Sequence, residues 1–75
     1  MSIIKNRMFM KVNGKNIELI TVSVKTISDY LDTLKIKHGT VAIEWNGEIL
    51  DREKWNQTLL NENDKIEIIK FVGGG

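Results

Sequence analysis

Apolar and polar residues alternate along several parts of the chain, and each such part predicts a β-strand. The first covers residues 8–12 (MFMKV), and an Asn-Gly pair at Asn13 and Gly14 follows it. Asn-Gly is the strongest short signal for a two-residue hairpin turn, because both central positions of that turn need a positive φ angle. The pattern therefore predicts an opening β-hairpin, with a second strand over residues 15–23.

The next segment, residues 25–39 (KTISDYLDTLKIKHG), changes to the periodicity of a helix. Thr26 and Asp29 have the spacing of a capping box, in which each side chain accepts a hydrogen bond from the other residue's backbone N–H. Gly39 is placed to end the helix. Apolar side chains at i, i+3, i+4 and i+7 define one face that must be buried: Ile27, Tyr30, Leu31 and Leu34.

Alternation returns over residues 41–45 and is followed by a second Asn-Gly pair, a short strand at 48–50, and a polar segment expected to hold a turn of helix and a loop. Residues 65–71 (KIEIIKF) predict the last strand. A single helix can bury its stripe only against one face of a mixed sheet, in which the first and last strands are parallel neighbours. This order predicts an α+β chain with the β-grasp (ubiquitin-like) fold.

Composition narrows the function. Of 75 residues, 41% are hydrophobic and the formal net charge is +1, which indicates one globular domain and disfavours nucleic-acid binding. There is no cysteine and one histidine, so we expect no disulfide, thiol nucleophile or metal site. The absence of a long apolar run argues against a membrane association. We expect a cytoplasmic protein that is a monomer when free.

The sequence printed here finishes with FVGGG, and glycine is the residue that costs most to order. Together with VNGK, TISDYL, VAIEWNGEIL, DREKW and LLNENDKIEIIKFVGGG, in this order, the tail resembles the ThiS-type sulfur carriers of thiamine biosynthesis. The resemblance covers about residues 10–75. It divides the chain into a ubiquitin-like domain at 1–72 and a flexible glycine tail at 73–75; residues 1–7 precede the usual start of the family, so either Met8 is the native start or 1–7 is a disordered extension. Asn63 stands where the family usually has glycine, and we expect it to keep the positive φ of that turn.

The resemblance implies a carrier rather than an enzyme. A ubiquitin-activating-type (ThiF-type) enzyme would use ATP and magnesium to adenylate the Gly75 carboxylate, and the chain itself would bind no cofactor. Sulfur from a donor such as a cysteine desulfurase would then displace AMP to give a thiocarboxylate. A ThiG-type thiazole synthase would take that sulfur. Gly73 and Gly74 would thread into the partner, because glycine has no side chain to obstruct a narrow channel.

A docking surface should accompany the tail. If Ile66 and Ile68 face the helix, Ile69 and Phe71 face outward, and an exposed apolar patch is typical of an interaction site. The predicted partner contacts are Phe9, Ile69, Phe71 and Val72. Three other polar positions are expected to lie in solvent: His38 on the surface rather than as a catalytic base, and Glu62 and Asp64 in a solvated loop rather than against a basic patch on an enzyme.

Other functions remain open at this point. A molybdopterin-type carrier or a carrier for transfer-RNA thiolation would share the tail chemistry, so the partner rather than the sequence decides between them. A ubiquitin-like modifier would form isopeptide bonds to lysine and leave conjugates in cells. A binding module with an inert tail would keep its function when Gly74 and Gly75 are deleted.

Overall fold

A computed structural model describes residues 7–71 of the chain. It contains a five-stranded sheet, one α-helix and two short 3₁₀ turns, at His38–Thr40 and Arg52–Lys54. The strands are β1 (Arg7–Val12), β2 (Lys15–Ile20), β3 (Val41–Trp45), β4 (Glu48–Leu50) and β5 (Lys65–Lys70), and the helix is α1 (Ile27–Thr33). None of the helices in this part of the chain has the length and apolar character needed to span a bilayer.

The strand order in the sheet is β2-β1-β5-β3-β4. The first and last strands are adjacent and parallel, with Lys11 opposite Lys65 and Val12 opposite Ile66. The other neighbouring pairs are antiparallel. A mixed sheet with one helix between β2 and β3 is the β-grasp arrangement, so the predicted fold is confirmed. The strand that comes last in the chain therefore lies in the middle of the sheet.

The core lies between α1 and the inner face of the sheet. Strand β1 alternates strictly between exposed and buried residues, as expected for a sheet covered on one face only. Trp55, from the segment between β4 and β5, fills one side of the core and donates its indole N–H to the Leu50 carbonyl at 2.9 Å. The other buried apolar residues are Met8, Met10, Val12, Leu19, Ile27, Tyr30, Leu31, Val41, Ile43, Leu60 and Ile66.

The start of α1 is the predicted one. Thr26 accepts a hydrogen bond from the Asp29 N–H at 3.1 Å, and the Asp29 carboxylate accepts one from the Thr26 N–H at 3.1 Å. The same carboxylate accepts a bond from the Lys25 N–H at 2.9 Å. These bonds from Lys25 and Thr26 hold the pKa of Asp29 below its ordinary value, because they stabilise the ionised form.

The predicted end of α1 is wrong. Gly39 lies in a 3₁₀ turn, whereas the helix finishes at Thr33 and Lys35 adopts φ +59°. The Lys35 N–H bonds to the Asp32 carbonyl and the Ile36 N–H to the Leu31 carbonyl, both at 3.0 Å, which is the Schellman pattern. Leu34, at the C-cap, is 44% exposed instead of buried. Packing of Ile36 on the core accompanies this early stop.

Both Asn-Gly turns are confirmed. Asn13 and Asn46 each have φ +51°, and each is followed by a glycine with positive φ. Asn63 also has a positive φ, +69°, as expected for the position where the family usually has glycine. Strand β2 ends at Ile20, three residues earlier than predicted.

Candidate functional site

The candidate site is the end of the sheet that contains the C-terminal end of β5, shortly before residue 72. Because β5 runs parallel to β1 and antiparallel to β3, its last residues lie beside the β1–β2 turn and the first residues of β3. Ile66 is buried and anchors the first half of the strand. The Phe71 N–H donates to the Thr40 carbonyl at 3.1 Å, so the backbone is still held to its neighbour at Phe71.

The outward orientation predicted for the end of β5 is confirmed. Ile69 is 44% exposed and Phe71 is 60% exposed, whereas Ile68 is half-buried against the core. Ile69 lies opposite Ala42 of β3. Two large apolar side chains therefore stand on the outer face immediately before the tail, although burial would favour placing them inside. Whether they contact a partner stays a prediction.

Phe9 does not belong to this patch, and in that respect the sequence-based grouping is wrong. Its side chain is half exposed, as expected. However, the Asn63 N–H bonds to the Phe9 carbonyl at 2.8 Å, so Phe9 is level with the residues before β5. Ile69 lies six positions further along, or about 20 Å at the rise of a strand. The parallel register puts Phe9 and Phe71 at opposite ends of the sheet.

Four of the predicted site residues lie outside the part of the chain that the structure describes. They are Val72, Gly73, Gly74 and Gly75, and residues 1–6 are also outside it. The structure describes the residues just before them, which include the outward-facing Ile69 and Phe71 and the hydrogen bonds that hold this part of the backbone.

The side chain of Asn13 also belongs to this end of the sheet, and the sequence interpretation missed it. Its Oδ1 accepts a hydrogen bond from the Ile68 N–H at 2.7 Å, and its Nδ2 donates to the Ile68 carbonyl at 3.3 Å. The backbone N–H of Asn13 bonds to the Ile66 carbonyl at 2.9 Å. The asparagine thus pairs with β5 through its main chain and its side chain at once.

Asn46 holds the opposite end of β5 in a related way. Its N–H bonds to the Lys65 carbonyl at 2.8 Å, and its Oδ1 accepts from the Lys65 N–H at 2.9 Å. Its Nδ2 donates to Asp64 Oδ1 at 3.0 Å. The second Asn-Gly turn is therefore connected both to the strand and to the loop that precedes it.

Asp64 is buried, so its predicted place in a solvated loop is wrong. Besides Asn46, the carboxylate accepts hydrogen bonds from Trp45 Nε1 at 3.1 Å and from the Asn61 N–H at 2.9 Å. The neighbouring Glu62 is exposed, as expected, and accepts from the Phe9 N–H at 3.3 Å. These three donors compensate the burial of Asp64, which makes it a structural residue.

His38 does not form a catalytic centre. Its Nε2 lies 2.9 Å from Asp32 Oδ1, and its ring packs edge-on against Trp55 with the centroids 5.6 Å apart. Among residues 7–71, no three His, Cys, Asp or Glu side chains are grouped so that they could hold a metal ion.

Comparisons with known proteins agree with the fold. The model of the ThiS family matches residues 7–75. The sulfur carrier protein ThiS of Bacillus subtilis is 35% identical over 66 residues, which is 88% of this chain and 98% of that protein. The crystal structure of a thiamine biosynthesis protein (ThiS) from Geobacter metallireducens superposes with a TM-score of 0.77, at 33% identity over 91% of this chain and all of the other.

A third relative is much longer. A thiazole synthase of Paramagnetospirillum magneticum is 38% identical over 50 residues, which is 67% of this chain but only 15% of that protein. Fold and relatives together define a ubiquitin-like β-grasp carrier. The chain belongs to the ThiS family, whose members are small sulfur carriers of thiamine biosynthesis and not catalysts.

Proposed function

We propose that this protein carries sulfur for thiazole formation as a thiocarboxylate on Gly75. The observation that supports the proposal most strongly is the family match, which continues through residue 75 and includes the whole glycine tail. The central strand β5 supports it as well, because the exposed apolar residues Ile69 in the strand and Phe71 just after it come shortly before that tail.

The chemistry follows from the weakness of a carboxylate as an electrophile. A ThiF-type enzyme with ATP and magnesium would join AMP to the Gly75 carboxylate and release pyrophosphate. Hydrosulfide, released by a thiol reductant from the persulfide of a donor such as a cysteine desulfurase, would then attack the acyl carbon, and AMP would leave with the electron pair of the broken bond. The product is the thiocarboxylate. We place these steps in the cytoplasm, where ATP is available.

Thiazole synthase is the favoured acceptor. A protein of that name contains a segment similar to this chain, and a carrier joined to its acceptor would gain a high effective concentration. This observation favours thiazole formation over the molybdopterin, transfer-RNA and modifier alternatives. Gly73 and Gly74 would occupy a narrow channel of the partner, where a side chain would obstruct entry.

The direct test is the intact mass of the protein after incubation with ATP, magnesium, a sulfur source and a thiamine-pathway activating enzyme. We expect a gain equal to the exchange of one oxygen for sulfur. The matched control is a chain that lacks Gly75, which should show no gain. An unmodified wild-type chain, with the enzyme active on its own carrier, would contradict the proposal.

The docking part of the proposal concerns Ile69, Phe71 and Val72. Ile69→Ser with Phe71→Ser should raise the KM for adenylation without unfolding the domain, because both side chains are already exposed. Ile20→Ser is the control, since Ile20 is 55% exposed at the far end of the outer face, opposite Arg7. Phe9→Ser measures the length of the contact: a raised KM there would require a partner that reaches about 20 Å along the sheet. Loss of the circular dichroism signal would show that Ile69 and Phe71 support the core.

A further inference from the structure

Asn13 lies where β1 turns away from β5. In a parallel pair, every second residue of one strand bonds the partner strand twice. Its N–H donates a hydrogen bond to a carbonyl of the partner, and its carbonyl accepts one from an N–H two residues further along the partner. Lys11 donates its N–H to the Asp64 carbonyl and Asn13 donates to the Ile66 carbonyl, both at 2.9 Å. The next donor on β5 in this series is the Ile68 N–H. Asn13 adopts φ +51° and enters the turn, so its main chain departs from the strand direction at this point.

At that position the side-chain amide of Asn13 replaces the main chain of β1 as the hydrogen-bonding partner of β5. Oδ1 accepts the Ile68 N–H at 2.7 Å, and Nδ2 donates to the Ile68 carbonyl at 3.3 Å. An amide side chain carries the same donor and acceptor as a peptide unit. The pairing of β1 with β5 is thereby extended by one residue beyond the last main-chain pair, Val12 with Ile66.

We infer that Asn13 is a positioning residue for the activation of Gly75: by holding Ile68 it fixes the position of residues 68–71, which precede the tail. The inference rests on the proposed carrier function. On its other side, β5 is held by β3 as far as Lys70 and by Thr40 at Phe71. Without the Asn13 amide, the strand is held from one side only over its last three residues.

Tail direction matters because only a carboxylate delivered into the partner's active site can react. Positioning of a reacting group contributes to the rate in proportion to the fraction of bound complexes with the right geometry. A looser exit therefore lowers kcat for adenylation, whereas the docking surface is unchanged and KM stays nearly the same. Asn13 acts through β5 and touches no reacting atom.

The chain provides a matched control in Asn46. Both asparagines precede glycine, both have φ +51°, and both bond a backbone N–H of β5 through Oδ1. They act at opposite ends of the strand, because Asn46 holds Lys65 and Asn13 holds Ile68. Asn13→Gly and Asn46→Gly each keep the positive φ that the turn needs and remove only the side-chain amide.

The experiment measures pyrophosphate release by a ThiF-type enzyme as a function of carrier concentration. We expect Asn13→Gly to lower kcat about fivefold, equivalent to one net hydrogen bond, with KM within about a factor of two. Asn46→Gly should keep the wild-type kcat. Asn13→Asp should be intermediate, because it keeps the Oδ1 acceptor and loses the Nδ2 donor. Equal kcat values for the two glycine variants would overturn the inference.

Amide hydrogen exchange of the free carrier supplies a readout that does not depend on the partner. Exchange of the Ile68 N–H should accelerate in Asn13→Gly by more than the loss of global stability explains, and in Asn46→Gly by no more than that loss explains. Unchanged exchange at Ile68 overturns the inference whatever the kinetics show. If the wild-type chain releases no pyrophosphate, the proposed function fails, while accelerated exchange at Ile68 would still show that Asn13 holds the strand.

Discussion

The two Asn-Gly hairpins are alike in sequence and differ in what surrounds them. At the β3–β4 turn, Asn46 joins β5 to the buried carboxylate of Asp64, which also bonds Trp45 Nε1 and the Asn61 N–H. At the β1–β2 turn, Asn13 bonds only the backbone of β5, and its side-chain bonds are exposed to solvent. The bonds to Asp64 are partly buried, whereas the bond of Asn46 to Lys65 and both side-chain bonds of Asn13 are exposed.

Because of this difference, one turn mainly stabilises the fold, and the other mainly positions the end of β5 that precedes the tail. A partly buried network around a buried carboxylate costs more to break, since water reaches its polar groups less easily. An exposed bond costs less, because water can replace the missing partner. The end of β5 that leads toward the tail is therefore the end that can be changed with the smallest loss of stability. Changes at the β3–β4 turn should appear in the free energy of unfolding, and changes at the β1–β2 turn mainly in the kinetics of activation.

The largest effect is expected at Asp64. Asp64→Ala leaves the Trp45, Asn46 and Asn61 donors without their shared acceptor and should lower the free energy of unfolding by about 3 kcal/mol. Urea denaturation measures the loss. Asp51→Ala is the control, because Asp51 is exposed and its side chain makes no capping bond, and it should change stability by less than about 0.5 kcal/mol. Equal effects would contradict the structural role of Asp64.

The two asparagines give the next pair of effects. Asn46→Gly should cost about 2 kcal/mol, because it breaks bonds to both Lys65 and Asp64. Asn13→Gly should cost about 1 kcal/mol, since its two bonds lie at the surface. The same denaturation curves show both values. A greater loss for Asn13→Gly than for Asn46→Gly would reverse the comparison of the two turns.

A substitution at Lys35 tests the comparison of the two turns because it should change the free energy of unfolding in the opposite direction. It has a positive φ like the two asparagines, but the left-handed conformation strains a residue with a Cβ, and the Schellman bonds here use only backbone atoms. Lys35→Gly should therefore raise the free energy of unfolding by about 0.5–1 kcal/mol. Lys37→Gly, at φ −73°, is the control and should not stabilise. Stabilisation by both variants would mean that the gain does not come from φ.

The smallest expected effect is that of low pH on stability. It arises at Asp29, away from both Asn-Gly turns. The pKa of Asp29 is lowered in the folded chain, so its stabilising bonds are complete above its unfolded pKa and are lost as pH falls below about 4. Because Asp29 is partly exposed, solvent screening reduces the loss to a few tenths of a kcal/mol. Asp29→Asn should flatten this part of the stability–pH curve. Asn13→Gly and Asn46→Gly should leave it unchanged, because amides do not ionise.

Local signals in the sequence predicted most of the fold. The two turns, the capping box, the strand alternation and the outward Ile69 and Phe71 depend on neighbours within a few residues, and all are observed. The end of α1 was missed because Lys35 adopts a conformation that glycine would normally supply. Its position depends on where Ile36 meets the core.

The errors at the candidate site have a common origin in long-range pairing. Asn13 and Ile68 are 55 positions apart, so no local pattern shows that one holds the other. Phe9 was grouped with Phe71 because both alternate outward, and only the register of β1 with β5 separates them. Asp64 was placed in solvent because its charge is visible in the sequence, whereas its three donors are not.

Because β5 is central in the sheet and last in the chain, the domain can fold only after almost the whole chain has been synthesised. Strand β5 pairs with β1 through Lys65 and Ile66 and with β3 through residues 66–70, so a nascent or clipped chain without it leaves both of those strands with an open edge and cannot close its core. Folding must wait for contacts between distant parts of the chain. If the proposed activating enzyme recognises the folded outer face, it meets only carriers in which the strand leading to the glycine tail has already been made.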